Sequence, residues 1–155
     1  VKKYGEVKTT SPLNLPPIEF KTEGSWITVP PDFIDEIDSQ DLDPAGALHG
    51  LEHAIISVIP LHAMCDRWDV GGVSTPFHQD IGLPSVFIYD SYEGGIGVAE
   101  KCFQKMEVIL ETTYELVKDC GCEKGCPSCI YSPKCGNMNE PLDKKGTIRL
   151  LELFF

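Results

Sequence analysis

Positive charge is scarce in this chain. Lys and Arg total 13 against 24 Asp and Glu, a formal net charge of −11. An average surface of that sign repels phosphate backbones, so nucleic-acid affinity from bulk charge is excluded and any DNA contact has to be local or come from a neighbouring domain. Long apolar runs are also missing. None approaches the roughly 20 residues needed to cross a bilayer, and no signal peptide is in view. Neither G-x-x-x-x-G-K-[ST] nor G-x-G-x-x-G occurs, so the chain has no nucleotide-phosphate motif of its own. Internal repeats and low-complexity tracts are absent too.

Cysteine is what the chain has in excess. Of seven cysteines, five fall in the run DCGCEKGCPSCIYSPKCGN, at Cys120, Cys122, Cys126, Cys129 and Cys135. An odd total, with Cys65 and Cys102 outside the run, argues against a disulfide framework and fits a reducing cytoplasm. Cys126-Pro127-Ser128-Cys129 has the spacing of a redox pair, but other thiols crowd it and it follows a helical pattern instead of opening one. The simplest reading is a metal knuckle, in which thiolates converge on a zinc ion closed to water and substrate. An iron–sulfur cluster also takes four thiolates, and spacing does not separate the two. Cys120, Cys122, Cys126 and Cys129 form the shortest ligand set, with Gly121 and Gly125 allowing the chain to fold back. Cys135, followed by Gly136, is the alternate in place of Cys120.

The 155 residues suit one globular domain. The apolar end Leu151 to Phe155 and the start at Val1 suggest a piece of a longer protein. Ile18 to Lys21 and Trp26 to Val29 read as strands, with Glu23-Gly24-Ser25 as a hairpin turn between them. The acidic stretch Asp32 to Asp43 reads as a solvated helix turn and loop, with an acidic docking surface as the lesser alternative. Asp43-Pro44 is a helix cap followed by proline at the first helical position. Ala47, Leu48, Leu51, Ile55, Val58 and Ile59 then repeat at helical spacing to about Pro60. Leu83 to Tyr89 reads as a buried strand. Glu93-Gly94-Gly95-Ile96-Gly97 follows as a glycine-permitted turn, placed like a phosphate cradle but without its lysine. One long helix comes next, with Ala99, Phe103, Met106, Leu110, Thr113 and Val117 inward. Helical spacing resumes from Leu142 to Phe155. The fold class is therefore α+β, with short N-terminal strands, a buried strand and three main helices, and a four-cysteine zinc loop between the last two.

Other constellations compete for chemistry. His49-Gly50-Leu51-Glu52-His53 matches H-x-x-E-H, which on a helix puts two imidazoles on one face with Glu52 as a possible base for a metal-bound water. A zinc metallohydrolase would need a further carboxylate, and Glu100, Glu107 and Glu111 are available without a second signature. A non-catalytic second metal could use His49 and His53 with His78 or Cys65; ordinary hydrogen bonding by both histidines is the blander alternative. Asp66-Arg67-Trp68-Asp69 reads as an ion-pair network with Trp68 in the core. Lys118, Lys124, Lys134, Lys144 and Lys145 form the basic patch nearest the cysteines.

Four stretches, LHGLEHAIISVIPL, MCDRWDVGGVSTPFH, FIYDSYEGGIGVAE and CGCEKGCPSCIYSPKCGNMNEPLDK, together resemble the zinc-binding domain at the C-terminal end of mitomycin repair factor A-type helicases. The similarity covers roughly residues 45 to 150, with GCPSC and KCGN its most specific elements. It implies a zinc role for Cys120, Cys122, Cys126 and Cys129. It divides the chain into an N-terminal strand-rich segment, 1–44, and a zinc-binding helicase-associated region, 45–155. The implied parent is a superfamily-two (DEAD/DEAH-box) ATP-dependent DNA helicase that translocates 3′ to 5′ and acts in crosslink repair. The motor lobes of the same polypeptide, and DNA held by them, would be the partners; a membrane would not. The ATPase motifs do not carry over, so no catalytic activity is expected of this chain alone. A free-standing interaction module is the remaining alternative.

Overall fold

A computed structural model describes residues 14–155, Pro12, and the backbone of two short paired strands, β1 (Lys2–Lys3) and β2 (Glu6–Val7). The expected α+β class is observed, with five helices and a three-stranded antiparallel sheet among the described residues. The sheet order is β3 (Gly24–Thr28), β5 (Ser85–Asp90), β4 (Val70–Thr75), with β5 central, Trp26 opposite Phe87 and Val73 opposite Phe87 on the other side. The helices are α1 (Pro31–Ser39), α2 (Pro44–His62), α3 (Val98–Gln104), α4 (Met106–Asp119) and α5 (Lys144–Glu152).

α2 is the axis of the core. Asp43 caps it by accepting from the Ala45 amide at 3.0 Å, and Pro44 opens it, as the sequence predicts. All six apolar positions read from its pattern are buried. The helix runs two residues past Pro60, because proline's fixed φ is already helical and costs one backbone hydrogen bond there. Small residues let α5 press against it: a methyl group added at Gly50 would collide with the Thr147 hydroxyl, and one at Gly46 would stand 2.9 Å from the Asp143 amide nitrogen. Sheet residues Val70, Val86 and Ile88 and helix residues Ile109, Leu110, Leu150 and Leu151 close the core around it.

Several expectations need correction. Residues 18–21 form no strand and Ile18 is exposed; Gly24 begins β3 instead of turning a local hairpin, because β3 finds its partner in β5. The acidic stretch carries a full helix, α1, whose Ile37 is buried while its carboxylates stay at the surface. The long helix breaks at Lys105, which leaves helical geometry (φ −118°, ψ 18°) and donates from Nζ to the His62 carbonyl at 3.0 Å, at the negative end of α2. That break changes the helical phase, so Phe103 points outward while Val98, Ala99 and Cys102 are buried. Trp68 is also exposed. Asp66 and Asp69 cap a 3-10 turn over Arg67–Asp69 instead of pairing with Arg67.

The sequence reading misses β4 altogether, since Gly71 and Gly72 weaken its strand signal. Yet the glycines are what the packing demands. A methyl group at Gly71 would enter the Tyr89 ring, and one at Gly72 would lie 2.8 Å from Ile56 and 2.9 Å from Glu52 of α2.

Candidate metal centre

The cysteine loop leaves α4 at Asp119 and re-enters helix at Lys144. It contains no regular helix or strand, so something other than a backbone ladder has to order it. Its sulfurs are close: Cys120 to Cys122 is 3.6 Å, Cys120 to Cys126 3.5 Å, Cys122 to Cys129 3.5 Å and Cys126 to Cys129 3.8 Å. Two sulfurs bound about 2.3 Å from one tetrahedral zinc stand about 3.8 Å apart. The four-sulfur cluster therefore already has the dimensions of a closed tetrahedral site.

Local geometry explains how the sulfurs arrive. The Cys129 and Tyr131 amides both donate to the Cys126 carbonyl, at 3.0 and 3.1 Å, making the tight turn of the knuckle. Gly125 has φ +120°, and a Cβ there would meet the Ile130 and Tyr131 side chains at 2.7 Å. Beneath the knuckle, Cys129 and Ile130 are buried against Ala54 of α2 and Val117 of α4, with Leu142 and Ile148 at the edge. Lys144 closes the loop from the other side. Although buried, its ammonium donates to the Cys120 carbonyl at 2.5 Å and the Cys122 carbonyl at 2.7 Å. Hydrogen bonds, first from the Ser128 backbone and then from Cys120, bring the Cys126 thiol down to about 7. Burial pushes the Cys129 thiol up to about 12.

Cys135 lies elsewhere. Its sulfur is 3.4 Å from His49 Nε2, and His49, His53 and Cys135 form a second group whose ligand atoms lie within 4.8 Å of one another. Neither Cys65 nor His78 joins it: Cys65 lies just beyond α2, and His78 packs against Phe87 with ring centroids 4.8 Å apart. Glu100, Glu107 and Glu111 stay outside both groups. Glu52 is buried and accepts from the Ser74 hydroxyl at 2.8 Å; burial raises its pKa. Burial likewise lowers the His53 pKa to about 4.

The glycine turn is filled from within. Asp90, fully buried, accepts from the amides of Ile96 at 2.6 Å, Gly97 at 2.8 Å, Val98 at 3.3 Å and Ala99 at 2.7 Å. The donors that would hold a phosphate hold this carboxylate, with Gly94, Gly95 and Gly97 supplying the positive φ values of the turn.

The basic patch is smaller than its sequence suggests. Lys144 is committed to the cysteine loop, and Lys134 donates to the Arg67 and Val70 carbonyls at 2.9 and 2.6 Å while lying over the Trp68 ring. Lys118 bonds Tyr114 Oη at 3.0 Å. Lys124 and Lys145 remain, on the walls of a groove beside Cys122.

A four-cysteine cluster in the connection between two helices of a small α+β scaffold is the architecture of a zinc-binding domain. The chain belongs to the family described as the MrfA Zn-binding domain, which it matches over residues 51–130. An uncharacterized protein of Methanocaldococcus jannaschii is 43% identical over 108 residues, 68% of this chain and 96% of that protein. The uncharacterized ATP-dependent helicase YprA of Bacillus subtilis is 36% identical over 78% of this chain, which spans only 16% of YprA. A crystal structure of the DUF1998 helicase MrfA bound to DNA superposes with a TM-score of 0.69 at 30% identity, covering 98% of this chain and 19% of that one. This chain thus corresponds to a small part of the helicases it resembles. Among the described residues, no helix is long and apolar enough to cross a membrane.

Proposed function

We propose that Cys120, Cys122, Cys126 and Cys129 hold one structural zinc as thiolates, and that the domain is a non-catalytic accessory part of an ATP-dependent 3′ to 5′ DNA helicase acting in repair in the cytoplasm. The observation that carries this reading is the set of sulfur separations, 3.5 to 3.8 Å, in a loop without secondary structure of its own. Structural zinc in small peptides contributes roughly 10 kcal/mol or more of apparent binding free energy, enough to order such a loop. Four thiolates leave no position for water, which supports bracing over chemistry at this centre.

Within the parent protein the domain's task is to brace the motor lobes. Support comes from its net charge of −11 and from the internal commitments of Lys134 and Lys144, which leave little basic surface for a phosphate backbone. An exposed apolar groove walled by Trp26 and Phe103 suits contact with another part of the same polypeptide. The test is unwinding and ATP hydrolysis by the full-length helicase. Cys129→Ser should lose zinc and uncouple unwinding from hydrolysis, whereas Lys124→Glu with Lys145→Glu should change unwinding little. A large unwinding loss in the double lysine variant, with zinc retained, would replace bracing by direct DNA contact.

One observation favours a second reading. The match over 96% of the Methanocaldococcus protein supports the domain acting as a separate interaction module. The reading frame upstream of Val1 decides: in-frame helicase motifs carry the first reading, and their absence carries the second.

A further inference from the structure

His49 and His53 of α2 are both held through Nδ1 by a backbone carbonyl. His49 Nδ1 donates to the Pro141 carbonyl and His53 Nδ1 to the Ile130 carbonyl, both at 2.8 Å. A carbonyl only accepts, so both Nδ1 atoms carry a proton, and in the neutral imidazole this leaves Nε2 as the lone-pair atom that a metal would take. This carbonyl-fixed tautomer is the usual arrangement of a metal-binding histidine. The two residues are four apart on one helix face, with ring centroids 4.3 Å apart.

The third donor is delivered by a shaped loop. The Asn139 amide donates to Cys135 Sγ at 3.3 Å, and the Asn139 side chain accepts from the Ser132 amide at 2.7 Å and donates to its carbonyl at 3.1 Å. Met138 and Asn139 both have left-handed backbones, φ 57° and 61°, a region that asparagine tolerates and that is uncommon for methionine. The result sets Cys135 Sγ 3.4 Å from His49 Nε2, against about 3.5 Å for a nitrogen and a sulfur on one tetrahedral zinc.

We propose that His49, His53 and Cys135 form a second metal site, for a borderline-soft divalent ion of the zinc class, whose fourth position opens into a cavity. Two imidazoles and a thiolate favour such an ion over magnesium or calcium, which take oxygen ligands. The cavity has a volume of about 370 Å³ and is walled by the three donors together with Glu52, Gly72 and Ser74. Glu52 is outside the donor group and tied to Ser74, so a water or small anion completes the tetrahedron. Three protein ligands and one open position contrast with the closed set of four sulfurs nearby. Histidines that merely pin the loop need no sulfur beside Nε2, and this holds whether or not the chain is part of a helicase.

The experiment compares bound metal in the whole chain, reconstituted with zinc or cobalt, with that in Cys135→Ser, His49→Asn and His53→Asn. Asparagine preserves a donor near the position of Nδ1, and with it the carbonyl contact, while removing the Nε2 ligand. Two ions per wild-type chain falling to one in each variant, with azide shifting the cobalt spectrum of wild type but of none of the variants, is the expected result. One ion per chain in all four proteins, with a cobalt spectrum indifferent to azide, would overturn the second site. That outcome leaves the four-cysteine centre standing, because its own failure appears as an ion retained in the double variant Cys129→Ser with Cys135→Ser.

Discussion

The two cysteine-bearing groups are built in opposite ways. In the knuckle, four sulfurs come from residues 120–129 and local turns bring them together, with Gly125 and the Cys126 carbonyl doing most of the folding. In the pocket, Cys135 meets His49 across 86 positions of chain, and only the packing of α2 against the loop brings them together. The first group depends on its own loop and, in the function proposed, on an ion. The second depends on the fold, and its residues keep their places through hydrogen bonds to carbonyls. The knuckle should therefore collapse when a ligand is removed, and the pocket should not.

That contrast is broken most forcefully at Cys129, the buried member of the knuckle. Cys129→Ser should lose the knuckle's ion and open residues 119–140 to hydrogen exchange, while α4 stays protected because Ile109, Leu110 and Thr113 pack elsewhere. Cys135→Ser should leave the same amides protected. Equal loosening in both variants would erase the distinction. Next in size, Gly125→Ala forces a side chain into φ +120° and against Ile130, and should cost about 2 to 4 kcal/mol in thermal or denaturant unfolding and weaken metal retention.

Lys144→Met probes how the knuckle is stapled. It removes the donors to the Cys120 and Cys122 carbonyls and should destabilise by about 2 to 3 kcal/mol, with faster zinc loss to a chelator. Zinc release unchanged from wild type would show that the thiolates alone set the loop. The smallest effect belongs to Lys124→Glu with Lys145→Glu, expected to alter unfolding by under about 0.5 kcal/mol and metal content not at all.

What the sequence discloses follows the same division. Cysteine spacing is a local signal, and so are the Asp43-Pro44 cap and the α2 repeat; each is visible because cause and effect lie within a turn or two of chain. The partnership of Cys135 with HGLEH is not legible, because spacing says nothing about contacts across 86 residues. The H-x-x-E-H pattern marks the helix face that carries His49 and His53, but one-dimensional spacing does not separate Cys135 from His78 or Cys65 as their third neighbour. β4 is hidden by the glycines its packing requires, and the break at Lys105 by an apolar repeat that continues in a new phase. The internal carboxylate of the glycine turn, Asp90, carries no marker at all in the one-dimensional pattern.

In the function proposed, Cys120, Cys122, Cys126 and Cys129 alone enclose a zinc ion. Zinc-edge X-ray absorption on the Cys135→Ser protein tests it most directly, since that variant isolates the knuckle from any ion in the pocket. One zinc per chain with four sulfur neighbours at about 2.3 Å and no nitrogen or oxygen is the expected result. A mixed nitrogen and sulfur shell, or iron in place of zinc, would contradict it.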